Sequence, residues 1–73
     1  MNELSPQKQA GEMLRLLIKD NYPTQEDFAY DYGADIRTIN RYINQGINKI
    51  DVVQELAEFF CVDFMSFFSP PKE

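Results

Sequence analysis

Histidine and tryptophan are absent from this 73-residue chain, and cysteine occurs once, at Cys61. A lone thiol forms no intramolecular disulfide and leaves no second sulfur for a Cys-pair metal site, which fits a reducing compartment. Without histidine the commonest general base and metal ligand are missing. Only 3 glycines are present, and none builds a phosphate-cradling loop. The carboxylates are scattered and do not fall into a paired arrangement. We therefore expect no enzyme, no catalytic residues, no metal and no cofactor. Long apolar runs are missing too: none approaches the ~18 residues of a membrane span. Glu3, Lys8, Glu12, Arg15, Lys19 and Asp20 interrupt any secretory h-region at the start. A soluble, cytoplasmic protein without membrane association is the expectation. Bases are scarce as well, 7 against 12 acids, for a net charge of −5.

What the chain does have is core-forming material: 44% hydrophobic residues, with six Phe and four Tyr. A domain of this size buries only about 60% of its unfolded surface, so the core must be dense and local. One domain over residues 1–73 is expected, with its core at about 6–68 and a tail at 69–73.

The periodicity is helical throughout. Ser5-Pro6 reads as an N-cap followed by proline at the first helical position. Ala10, Met13, Leu14, Leu17 and Ile18 then recur at helical spacing, and Asn21-Tyr22-Pro23 ends the run. Thr24 with Asp27 approximates a capping box for a second helix over about 25–32, which Gly33 closes in a left-handed turn. Asp35 caps a third helix to about Asn44, closed at Gly46. After the loop Ile47-Asn48-Lys49, Asp51 or Asn48 caps a fourth, with Val53, Leu56, Ala57 and Phe60 as its apolar stripe. Asp63 caps a last short helix, "FMSFF", stopped by Ser69-Pro70-Pro71. The prediction is an all-α domain of five short helices.

The middle pair meets stricter demands than an ordinary helical corner. DNA-reading helix pairs need a small residue where they cross, a turn residue tolerant of positive φ, and apolar inward positions. Ala29, Gly33, and Phe28, Tyr32, Ala34, Ile39 and Tyr42 supply these at fixed offsets. If Ile39 and Tyr42 point inward, then Ile36, Arg37, Asn40, Arg41 and Asn44 share the outward side of the third helix. That face has two Arg, two Asn and no acid. Arg suits guanine, Asn suits adenine, and Ile can touch a thymine methyl. The plainer alternative is that both Arg residues only solubilise the helix or pair with neighbouring acids.

On "TQEDFAYDYGADIRTINRYI", "VVQELAEFF" and "VDFMSFF", residues 11 to 68 resemble the helix-turn-helix domain of the phage repressor and Cro-like (Xre) family. The resemblance implies a lambda-repressor-like fold, with the third helix in the major groove of operator DNA. Carried over, it places Ile36, Arg37, Asn40 and Arg41 at base edges, and Gln25, Asn44, Asn48 and Lys49 against the backbone. It departs from the family pattern at Asp35, where Ser or Thr is usual, at Ile43, expected to pack inward with Ile47 and Ile50, and at the added Gln45.

Net charge does not exclude such a role, because the charge is polarised. From position 35 to 49, Arg37, Arg41 and Lys49 outweigh Asp35, for +2; from 50 to 68, Asp51, Glu55, Glu58 and Asp63 stand without a base, for −4. Exposed charges beyond about 8 Å are largely screened at physiological salt. Five Phe fall within residues 59–68. Phe60, Phe64 and one of Phe67 or Phe68 are expected inside, while Val52 and Phe59 fall off the stripe. A homodimer surface is expected over Val52, Phe59, Phe64, Phe67 and Phe68, where the family commonly places its dimer contacts. Cys61, Met13 and Met65 are expected to be core. The rival function is an acidic protein-interaction module on the same fold, antirepressor- or antitoxin-like, that binds a protein partner instead of DNA.

Overall fold

A computed structural model describes residues 5–68, which are all-helical, with no strand among them. Four α-helices follow one another: α1 (Pro6–Asn21), α2 (Gln25–Tyr32), α3 (Ile36–Gln45) and α4 (Ile50–Phe60). No described helix is long and apolar enough to cross a membrane. The expected fifth helix is instead a 3₁₀ segment, Phe64–Phe68. Five residues give too few α-type bonds to offset helix nucleation, so the chain tightens to the i+3 pattern, with Ser66 N–H donating to the Asp63 carbonyl at 2.9 Å. The proline stop at 69–71 lies outside the described residues.

Three of the helix starts follow their caps. Ser5 Oγ accepts from Lys8 N–H at 3.2 Å, Thr24 Oγ1 from Asp27 N–H at 3.1 Å, and Asp35 Oδ1 from Arg37 N–H at 3.1 Å. The fourth start differs from expectation. Lys49 occupies the N-cap without a side-chain bond, while Asp51 accepts from the adjacent Val52 N–H. Asn48 is kept from capping by the preceding loop, where Ile47 N–H donates to the Gln7 carbonyl at 2.9 Å and ties the chain to α1.

Phe28, Phe67, Leu14, Ile39, Leu56 and Val53 form the fully buried centre. α1 packs most extensively on α3 and on the 3₁₀ segment, and α2 packs on α3. The α1–α3 approach is close enough to require glycine. A Cβ at Gly11 would stand 2.3 Å from the Tyr42 carbonyl oxygen. Around Phe28 gather the rings of Tyr22, Tyr32, Phe59 and Phe60, at centroid distances of 5.3–5.7 Å.

Two stops share one geometry. After α2, Gly33 has φ 89° and Ala34 N–H reaches back to the Ala29 carbonyl at 2.9 Å; after α4, Cys61 has φ 60° and Val62 N–H reaches the Ala57 carbonyl at 2.9 Å. This left-handed stop turns Cys61 outward, so the expected buried thiol is exposed. Met65 is likewise on the surface, at 58%, and Ile50 at 59%, because the 3₁₀ segment and the first turn of α4 each leave one side uncovered. Met13 and Ile43 pack against the core as expected.

Candidate nucleic-acid interface

Ile39, fully buried, fixes the roll of α3, with Tyr42 and Ile43 packed beside it. The opposite side then carries Arg37, Asn40, Arg41 and Asn44, all exposed. Ile36 differs from the outward placement: it is half-buried against the core, because at three residues before Ile39 it sits on the edge of the apolar stripe. Neither Arg37 nor Arg41 has an ion-pair partner among the described residues, where the ion pair present joins Arg15 to Glu12. That hydrogen bond holds the Glu12 carboxyl below its ordinary pKa. Pairing with neighbouring acids therefore does not account for the two arginines of α3.

Two acids of the helix pair are engaged elsewhere. Asp35 binds the Arg37 backbone N–H as the cap of α3. Asp31 accepts a 2.6 Å hydrogen bond from the Tyr22 hydroxyl, which ties the end of α1 to α2 and raises the Tyr22 pKa.

Two grooves flank the helix pair. One, of about 450 Å³, lies between the start of α1, the end of α3 and the 46–49 loop, and brings Arg41, Asn48 and Lys49 together with Lys8 and Gln45. The second, of about 290 Å³, lies where α1 hands over to α2 and sets half-buried Gln25 beside Lys19 and Arg15. Asn44 lies on the same exposed side of α3 while its neighbour Gln45 lines the first groove. Lys8, Gln45 and Lys19 are absent from the sequence-based set. No local signal marks them, since their partners lie in other elements.

No protein-family model matches this chain. No curated protein and no solved structure matches it either.

The proposed dimer residues separate in the structure. Phe67 is fully buried within one chain and is unavailable to a partner; it belongs to the core beneath α1 and α4. Val52, Phe64 and Phe68 are half-buried, the two Phe rings meeting edge-on at 5.4 Å. Phe59 keeps 38% of its surface exposed while touching Phe28, Tyr32 and Phe60. The exposed large apolar side chains of α4 and the 3₁₀ segment are thus Ile50, Phe59 and Met65.

Proposed function

We propose that the chain is a sequence-specific DNA-binding protein of the Xre, phage-repressor-like kind, a transcriptional regulator with a lambda-repressor-like arrangement of helices. The observation that carries this reading is the outer face of α3. Two arginines without an ion-pair partner among the described residues stand exposed there with two asparagines, and the one acid at its head is occupied as a cap. Surface helices ordinarily mix acids with bases. A face of Arg and Asn alone matches the acceptors and donors of guanine and adenine edges in the major groove. In this reading Arg37 and Asn40 enter the groove, Ile36 offers its exposed part to a thymine methyl, and Arg41 stands at the far edge. Gln25, Asn44, Asn48 and Lys49 lie along the backbone.

With few basic contacts per chain, a single copy binds weakly, and a homodimer reading two half-sites about 34 Å apart supplies the rest. Phe59 and Met65 are the surface for that pairing. The test is fluorescence anisotropy of the protein with the duplex upstream of its own reading frame and with a scrambled duplex, across a salt series. Preference for the upstream duplex, weakening as salt rises, is expected. Arg37→Ala should cut that preference by about tenfold or more. A folded protein that binds neither duplex at tens of micromolar in low salt would overturn the reading and favour a protein partner for the acidic α4.

A further inference from the structure

The groove between the start of α1, the end of α3 and the 46–49 loop concentrates positive charge. Lys8, Arg41 and Lys49 are three of the 7 bases, all three are exposed, and none is in an ion pair among the described residues. Among the described residues no acidic side chain lines the groove. In a protein of net charge −5 this is an unusual concentration. Three like charges held at one site repel, so an anion between them is favoured. The neutral amides of Gln45 and Asn48 add donors at the same place. Cationic and amide donors, with no carboxylate among them, suit an acceptor-only phosphate oxygen.

The convergence is built by the backbone. Lys8 is on the first turn of α1, Arg41 on α3, and Lys49 at the start of α4. Ile47 N–H on the Gln7 carbonyl draws the loop onto α1. Gly46 permits this with φ 101°; a Cβ there would stand 2.7 Å from the Gln7 carbonyl carbon. The two lysines thus face one groove across forty intervening residues.

We propose that this groove clamps a phosphate of the DNA backbone, with Lys8 and Lys49 on its oxygens and Arg41 closing it from α3. The clamp rests on the operator-binding reading and deepens it. It brings α1 into the interface and assigns Arg41 to the backbone, leaving base edges to Arg37 and Asn40. Contacts of this kind fix register and carry no sequence information.

The test compares Lys8→Gln and Lys49→Gln with a charge-matched control, Gln54→Glu on the exposed side of acidic α4. Binding is read by anisotropy on the upstream and scrambled duplexes. Each lysine variant should weaken both duplexes by the same factor and lower the salt slope by about 0.9. The control should leave the slope unchanged. Wild-type slope and affinity in Lys8→Gln overturn the clamp while leaving DNA binding intact. If the wild-type protein binds no duplex, the operator reading fails by itself. A titration of ¹⁵N-labelled protein with inorganic phosphate then decides the groove. Amide shifts confined to Lys8, Arg41 and Lys49 support an anion site for free phosphate, and silence there overturns it.

Discussion

Cys61 ends α4 in a conformation that its Cβ disfavours, at φ 60°, doing what Gly33 does at the end of α2. Left-handed backbone costs a non-glycine residue roughly 1 kcal/mol. Cys61→Gly should therefore stabilise the fold by about 1 kcal/mol, less the extra chain entropy glycine brings to the unfolded state. Urea unfolding checks this, and a loss of stability would show that the thiol makes contacts worth more than the strain. Tyr32 offers a second test. Burial, reinforced by the Glu55 carboxylate that accepts its hydroxyl at 3.3 Å, pushes its pKa from 10.0 up to about 12. The folded state thus holds this proton more tightly than the unfolded one. The contribution is complete below pH 10 and disappears as pH rises towards 12. Because the ring is partly open to solvent, the loss should be about 1 kcal/mol. Tyr32→Phe should remove that alkaline decline in a pH series of thermal unfolding; an unchanged decline would place its source elsewhere.

At the level of elements, α1 is the platform on which α3 is presented, and the two meet backbone to backbone at Gly11. Alanine there gains about 1 kcal/mol of helix propensity. The methyl group would, however, stand 2.3 Å from a carbonyl oxygen that cannot rotate away. The clash wins, and Gly11→Ala should lose a net ~1–3 kcal/mol, read by denaturant midpoint. The head of α3 separates stability from binding. Asp35→Ala removes the cap and should cost about 1 kcal/mol. Asp35→Ser keeps a capping oxygen and removes a negative charge from the proposed DNA face. Its stability should stay within about 0.5 kcal/mol of wild type, while duplex affinity rises at low salt. Equal affinity in Asp35→Ser and wild type would mean that α3 does not approach phosphate.

At the scale of the whole molecule, charge is divided. Lys8, Arg41 and Lys49 meet in one groove, while Asp51, Glu55 and Glu58 are exposed on α4. Glu55 and Glu58 lie six and nine residues along α4 from Lys49, about 9 and 13 Å at ~1.5 Å per residue, beyond the ~8 Å over which exposed charge acts at physiological salt, so total charge is a poor guide to what the groove attracts. The proposed dimerisation through Phe59 and Met65 should appear in sedimentation at tens of micromolar; a protein that stays monomeric there would overturn the proposed pairing. The aromatic half of the molecule was legible only in outline. Phe60 and Phe64 sit near the expected stripe, but Phe59 joins the Phe28 ring cluster in spite of its phase. Phe67, set by the tighter 3₁₀ pitch, turns fully inward.

Local chemistry by itself determined where the first three helices begin and where α2 ends. Ser5, Thr24 and Asp35 bind backbone N–H groups within three residues, and Gly33 closes its turn without help from elsewhere. It also determined the roll of α3, because Ile39 and Tyr42 must face inward whatever the partner helix. Tertiary structure alone decided the rest. The start of α4 depends on a hydrogen bond from Ile47 to α1. The meeting of Lys8 with Arg41 and Lys49 depends on the close passages at Gly11 and Gly46. Caps and periodicity act over three or four residues, whereas these features join positions up to 41 apart, and only the packed chain brings them into contact.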